Sequence, residues 1–289
     1  MSPPQGHRRQ QLSLAIEKAA GSFPQNFSAL PGGCVAEVYR VDLADGTALV
    51  AKVADNGGLA IEGRMLAYLK EETSLPVPAI LASDDRLLLM DYIANDNLPG
   101  ERAEAMAAEQ LAALHRIEAP AFGFPWDTVI GAVPQPNAWS DDWCGFFRDQ
   151  RLMTMGRRAE ASGRISGDLL ARLERFCERL EEFLDPPAKA SPIHGDVWRG
   201  NVLFRGGEVA AYIDPAVYFA PAEVELAYIE LLSTFGQAFF RHYQEIAPID
   251  PGYWELRRDI YSLFPLLVHC EICGAPYPQQ VAAILDRFG

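Results

Sequence analysis

The run His194-Gly195-Asp196-Val197-Trp198-Arg199-Gly200-Asn201 is followed by the apolar stretch Val202-Leu203-Phe204 and, past a Gly206-Gly207 turn, by Ile213-Asp214-Pro215. A carboxylate, a carboxamide five residues on and a second carboxylate at the end of a hairpin strand can bring one proton acceptor and two hard oxygen ligands to a phosphate. That chemistry is phosphoryl transfer. Asp196 is expected to accept the proton of an attacking hydroxyl, and Asn201 and Asp214 to hold Mg²⁺. His194 is expected to brace the loop by hydrogen bonding. His-Gly-Asp alone is an ordinary turn; the spacing to Asn201, the strand after it and Asp214 agree with one another and lift it above one.

A nucleotide half is expected upstream. Pro31-Gly32-Gly33-Cys34-Val35 is a glycine turn opening a strand, where the backbone amides of Gly32, Gly33 and Cys34 can approach phosphate oxygens. On its own such a turn is more often a tight loop than a phosphate cradle. Val50-Ala51-Lys52-Val53 adds a lysine on the next strand, where it can grip phosphates. A lysine flanked by apolar residues needs a carboxylate, because a buried unpaired ammonium is costly. Glu62 on the following helix is the expected partner. Leu88 to Ile93 ends the sheet and leads out of it, so the backbone of Met90, Asp91, Tyr92 and Ile93 is placed by position to read an adenine edge.

These residues need elements to carry them. Gln10 to Ala20 has helical spacing and stops at Gly21. Val35 to Leu43 and Thr47 to Val53 are β-rich runs joined by Ala44-Asp45-Gly46, a strong hairpin signal. Ile61 to Glu72 reads as a helix, and Ala79 to Ala82 and Leu87 to Met90 as short strands. After Tyr92 the pattern turns helical, over 102–116, 139–161, 167–184, 222–235, 253–274 and 278–288. The exceptions are the strands near Val202-Leu203-Phe204 and from Val209 to Ile213. The expected class is α+β with a bilobal kinase-like order: a small antiparallel-sheet nucleotide lobe over residues 1–92 and a larger, mainly helical catalytic and acceptor lobe over 93–289.

At 289 residues the chain is long enough for a large core. A formal charge of −14 argues against wrapping nucleic acid or adhering to anionic membranes. No apolar run reaches the roughly 18 to 20 residues a membrane helix needs, and the first residues lack a signal-peptide core, so a cytoplasmic protein is expected. Five cysteines without framework spacing fit a reducing compartment. Cys270 and Cys273 form a lone Cys-x-x-Cys beside His269 and are expected to be buried thiols rather than a metal site.

Taken together the chain resembles the fructosamine kinase (ketosamine 3-kinase) family, related to the aminoglycoside phosphotransferases and choline kinases. The resemblance runs through Gly32-Gly33-Cys34, Phe122-Gly123-Phe124 with Gly131, Pro134-Gln135, Asn137-Ala138-Trp139, Asp142-Trp143, Phe146-Phe147 and Arg151-Leu152. It continues through His194 to Trp198, Gly200-Asn201, Asp214-Pro215-Ala216-Val217-Tyr218, Glu230-Leu231 and Phe235-Gly236. It implies ATP-dependent phosphorylation of the sugar 3-hydroxyl of a ketosamine, free or protein-bound, and a product that breaks down to release the amine. A monomer or homodimer is expected, the sequence leaving the two open. By the same motifs the resemblance implies Asp196 as proton acceptor, Asn201 and Asp214 as metal ligands and Lys52 as phosphate lysine. Trp198 is expected to offer its face or indole N–H to the sugar, with His194 beside it, or in the alternative to be an aromatic that packs the lobe.

Ala220-Pro221-Ala222-Glu223-Val224-Glu225 stands where the family commonly has Gly-His-Arg-Glu-x-Asp, and Arg199 stands where a small residue is usual. These departures are expected to alter charge on the acceptor side. Cys34 is a small loop filler or, in the alternative, an oxidisable thiol whose oxidation obstructs the phosphate loop. A kinase for an aminoglycoside, amino alcohol or sugar is the nearest other reading, and an inert nucleotide-binding module a more distant one. Neither an Asp-Phe-Gly nor an Ala-Pro-Glu segment follows Asp214, against a protein kinase.

Overall fold

The computed structural model describes Pro4 and residues 6–31, 36–55, 57–184 and 189–289. The glycine turn with Gly32, Gly33 and Cys34 lies outside the described residues. The chain divides into two compact units, one of residues 1–103 with 200–215, the other of 104–199 with 216–289.

The first unit opens with helix α1 (Gly6–Ala20) and strand β1 (Pro24–Ala29), followed by β2 (Glu37–Leu43) and β3 (Ala48–Val53) around the Asp45-Gly46 turn. Helix α2 (Leu59–Glu72) and strands β4 (Ile80–Ser83) and β5 (Leu87–Asp91) complete an antiparallel sheet in the order β1-β2-β3-β5-β4. Leu12 and Ile16 of α1 pack with Phe27, Tyr39, Val41 and Leu49 as its buried core. Each such side chain contributes roughly 1.5–3 kcal/mol on burial. Strand β1 was not visible in the sequence, because Pro24-Gln25-Asn26-Phe27-Ser28-Ala29 is mostly polar and Phe27 is its one large apolar anchor.

The segment 200–215 was expected with the helical lobe but groups with the first unit. Backbone bonds explain this: Tyr212 N–H donates to Pro76 O at 2.8 Å, Asp96 N–H to Phe204 O at 2.9 Å and Gly100 N–H to Gly207 O at 3.0 Å.

The second unit begins within α3 (Ala103–His115). A small hairpin, β6 (Thr128–Ile130) and β7 (Val133–Gln135), precedes α4 (Trp143–Phe146), a wider π-wound stretch over Phe147–Met153 and α5 (Thr154–Ala161). Helix α6 (Gly167–Glu178) follows, capped by Ser166, whose hydroxyl accepts from Leu169 N–H. Strand β8 (Ser191–Ile193) leads into the His-Gly-Asp loop. The hairpin β9 (Val202–Arg205) and β10 (Glu208–Tyr212) belongs to the first unit. Strand β11 (Tyr218–Ala220) then pairs antiparallel with β8, and α7 (Ala222–Leu231), α8 (Gln237–Ile246), α9 (Arg258–Cys273) and α10 (Tyr277–Arg287) finish the chain.

Helix α9 is the centre of this unit, buried from Ile260 to Val268 and flanked by α5, α7 and α10. Much of the family-like pattern becomes a buried lock around Arg151. Its guanidinium lies 3.9 Å from the Tyr218 ring centre and donates to Pro136 O at 2.6 Å and Asn137 Oδ1 at 2.5 Å. Burial pulls the Arg151 pKa down, against the favourable pull of Tyr218.

The paired thiols are not alike: Cys270 is buried, but Cys273, at the last position of α9, is exposed. His269 Nδ1 lies 2.7 Å from Pro265 O. Among the described residues no group of three or more His, Cys, Asp or Glu is placed to hold a metal, and no helix is long and apolar enough to cross a membrane.

Candidate functional site

In the first unit the reactive groups meet through charge. Lys52 sits on β3 between Val38 and Leu88 of the neighbouring strands and is 5% exposed. Its Nζ donates to Glu62 Oε1 at 2.7 Å and forms a second, shorter ion pair with Asp214 Oδ1. Helix α2 reaches Lys52 because it lies close on the sheet: a Cβ on Gly63 would come 2.5 Å from Ser83 Oγ. Burial pulls the Lys52 pKa down, but the carboxylates of Glu62 and Asp214 overcome it and hold the ammonium charged. Burial pushes the Glu62 carboxyl up against the pull of Lys52. The partner expected for Lys52 is therefore present, and Asp214 is a second one that spacing did not reveal.

Asp214 follows β10 with φ of 54°, a left-handed backbone that Asp tolerates better than most residues. Ile213 N–H donates to Asn201 O at 3.0 Å, and Asn201 Nδ2 donates to Asp214 O at 3.3 Å. That bond fixes which end of the buried Asn201 carboxamide is its oxygen. Carboxylate and carboxamide oxygens are hard donors of the kind Mg²⁺ takes, with phosphate and water supplying the rest. The donor set thus fits that ion.

At the end of β5, Met90 is buried and paired with Val50 and Ile80. Asp91 N–H donates to Ala79 O at 3.0 Å and Tyr92 N–H to Ala48 O at 3.3 Å, while Asn95 Nδ2 donates to Ile93 O at 2.9 Å. The Arg40 guanidinium stands 4.4 Å from the Tyr92 ring centre.

In the second unit the His-Gly-Asp loop is held by hydrogen bonds. Gly195 has φ of +83°, and a Cβ there would lie 2.2 Å from Ala216 O, so only glycine fits. Ala216 N–H closes the loop on His194 O at 2.8 Å, and Asp196 N–H donates to His194 Nδ1 at 3.3 Å. His194 is wholly buried, turned onto its own loop as a brace. Thr234 Oγ1 donates to Val197 O at 2.9 Å. Trp198 is 44% exposed, its N–H bonded to Asp196 O at 3.1 Å.

Glu225 corrects one expectation. The sequence places it as a charge on the acceptor side, but it is 1% exposed and faces the loop. Its Oε1 accepts from Gly195 N–H at 2.7 Å and its Oε2 from His194 N–H at 3.2 Å, with His115 Nε2 3.0 Å away. His115 Nδ1 in turn lies 2.8 Å from the Tyr243 hydroxyl. Burial alone would raise the Glu225 pKa, yet these partners bring it below the usual carboxylate value. The departure in sequence is a longer carboxylate under the loop. A carboxylate among Val224, Leu226, Ala227 and Ile229 was the available clue, since a charge on a buried helix face must find partners.

Tyr228, one turn further on α7, was also missed. Its hydroxyl donates to Asp196 Oδ1 in a short hydrogen bond.

The model of the fructosamine kinase family matches residues 8–288. The chain belongs to the fructosamine kinase family. A protein of Enterococcus faecium named a probable ketoamine kinase is 33% identical over 284 residues, covering 95% of this chain and all of that one. The chloroplastic protein-ribulosamine 3-kinase of Arabidopsis thaliana is 27% identical over 271 residues, covering 89% of this chain and 80% of that one. Among solved structures, a Thermobifida fusca protein assigned as a fructosamine-3-kinase shares 30% identity at a TM-score of 0.85, covering 95% of this chain and 98% of that one. The aminoglycoside phosphotransferase APH(4)-Ia, at 16% identity and a TM-score of 0.68 over 94% of this chain and 97% of that one, shares the fold alone. Membership of the fructosamine kinase family makes this chain an ATP-dependent kinase.

Proposed function

We propose that this chain transfers the γ-phosphoryl group of ATP to the sugar 3-hydroxyl of a ketosamine, free or on a protein. The observation that carries the reading is the family match over residues 8–288, which spans Lys52, Asp196, Asn201 and Asp214 together. The bond between the γ-phosphorus and its bridging oxygen breaks and one from phosphorus to O3 of the sugar forms. Asp196 takes the hydroxyl proton. Lys52 grips the nucleotide phosphates, steadied by Glu62. Asn201 and Asp214 would hold Mg²⁺, which would neutralise charge on the phosphates.

The first unit is the nucleotide half in this reading. The amides of Asp91 and Tyr92 already serve Ala79 and Ala48, so the adenine-reading amide is that of Ile93. Trp198, half exposed and bonded through its backbone to Asp196, offers its ring to the acceptor sugar. The sugar then loses a C1 proton and expels the 3-phosphate, and water hydrolyses the resulting C1=N imine to free the amine, which makes the reaction a deglycation step.

The test is Mg²⁺-dependent ATP consumption with ribulose-lysine, fructose-lysine, an aminoglycoside and choline, with D196N alongside. Turnover confined to the lysine adducts and lost in D196N is the expected result, with phosphorus on O3 by NMR. Turnover only on the aminoglycoside or choline would overturn the acceptor assignment, and an active D196N would remove Asp196 from its role.

A further inference from the structure

Helix α7 sends two side chains to the His-Gly-Asp loop from adjacent turns of one face, Glu225 and, three residues on, Tyr228. They act on different parts of it. Glu225 takes the N–H groups of His194 and Gly195, so it fixes the backbone from which Asp196 projects. Tyr228 takes the far end: its hydroxyl donates to Oδ1 of the Asp196 carboxylate.

We propose that Tyr228 is a positioning residue for phosphoryl transfer, its hydroxyl holding the Asp196 carboxylate in the orientation from which it receives the acceptor's proton. The inference rests on Asp196 being that proton acceptor. With the backbone locked, the side chain of an aspartate still has two torsions, and a carboxylate that turns presents its lone pairs in the wrong direction. A donor on Oδ1 restricts that freedom and fixes the plane of the carboxylate.

The chemistry of the donor suits the task. A buried phenol needs a hydrogen-bond partner, but a backbone carbonyl would serve a merely structural tyrosine. Here the partner is the one carboxylate of the loop. Burial, together with the charge of Asp196, pushes the Tyr228 pKa well above its ordinary value, so the hydroxyl stays a donor and never competes for the acceptor's proton. A lysine or arginine in its place would neutralise the carboxylate and weaken it as a base; a phenylalanine would take the Oδ1 hydrogen bond away.

The experiment compares wild type, Y228F and D196N on whichever adduct the wild type phosphorylates. Y228F removes one oxygen and keeps the ring. Its kcat is expected to fall about 10- to 100-fold, the loss that follows removal of a hydrogen bond to a charged group. KM for ATP should stay within about twofold, since Tyr228 belongs to the second unit and Lys52 to the first. A kcat for Y228F within twofold of wild type would overturn the proposal, as would a fall matched by an equal rise in KM for ATP.

A second readout does not depend on turnover. In the proton NMR spectrum of the wild type a tyrosine hydroxyl resonance should lie far downfield and vanish in both Y228F and D196A. Its absence from the wild type, or its persistence in D196A, overturns the bond itself. Silence of the wild type on every acceptor would instead defeat the proposed function, and the hydroxyl resonance would then decide the Tyr228–Asp196 bond alone.

Discussion

In the first unit Lys52 meets Glu62 and Asp214 through full charges, whereas in the second Asp196 is held by a neutral phenol and its loop by backbone amides bonded to a buried carboxylate. The two devices suit different tasks. A lysine ammonium is a point charge with three rotatable donors, so it can follow phosphate oxygens and metal ligands as the charge around it changes. Hydrogen bonds to a phenol and to peptide groups are directional, so they fix an orientation. In the proposed reaction a polyanion has to be gripped, while a proton acceptor has to be aimed.

The sharpest way to break this comparison is at Asp196. Asp196→Asn should lower kcat by about 10²- to 10⁴-fold, the range for a general base, with little change in melting temperature. Turnover of D196N within tenfold of wild type would mean that aiming a carboxylate is not what the second unit does.

Next in size is Lys52→Met, which leaves Glu62 and Asp214 without their shared cation. Breaking a buried pair costs about 3–5 kcal/mol, and the loss here should fall at the lower end because the Asp214 side chain is 36% exposed and water screens it. Denaturant unfolding would show this as a lower midpoint. An unchanged midpoint would mean that the triad holds its groups more loosely than its distances imply.

Glu225→Gln should cost about 1.5–3 kcal/mol, because the amide keeps only one acceptor oxygen for the two loop N–H groups. Its pH dependence follows from the lowered pKa of Glu225 in the folded protein. A carboxyl depressed on folding adds stability above its unfolded pKa, near 4.5, and that stability is lost as pH falls through the folded value. Wild type should therefore lose stability more steeply than E225Q below about pH 4.5. Parallel acid-unfolding curves would show that Glu225 is not ionised under the loop. The smallest effect belongs to an exposed pair in the same unit, Lys189–Glu118 at 3.2 Å with side chains 49% and 75% exposed. Glu118→Gln should shift stability by less than about 1 kcal/mol, and a larger shift would show that charge matters more in the second unit than its buried groups suggest.

The legible parts of the fold were those with local causes. Asp45-Gly46 marked the β2–β3 hairpin, and Lys52 among valines and alanines demanded the carboxylate that Glu62 provides. The parts that stayed hidden had distant causes. Strands of three residues such as β8 and β11 carry no periodicity and exist only because Ser191 to Ile193 finds Tyr218 to Ala220. Helix α8 went unread because Gln237 to Ile246 is rich in aromatic residues of modest helix propensity and gains its stability by burying Phe239, Phe240 and Tyr243. Likewise nothing local tells Cys273 from Cys270; the end of α9 decides which is exposed.

By itself the sequence determined which reactive groups exist and in what order: a lysine on a strand, an aspartate, an asparagine and a second aspartate with a hairpin between them. It also carried the family, because the motifs that resemble the fructosamine kinases lie within the match that runs from residue 8 to 288. Only the tertiary structure decided what holds each group. Asp214 reaches Lys52 across 162 residues, and Glu225 and Tyr228 reach the His-Gly-Asp loop across about 30. A buried charge or hydroxyl must find a partner, but which partner it finds is set by packing between segments far apart in the chain, where spacing carries no information.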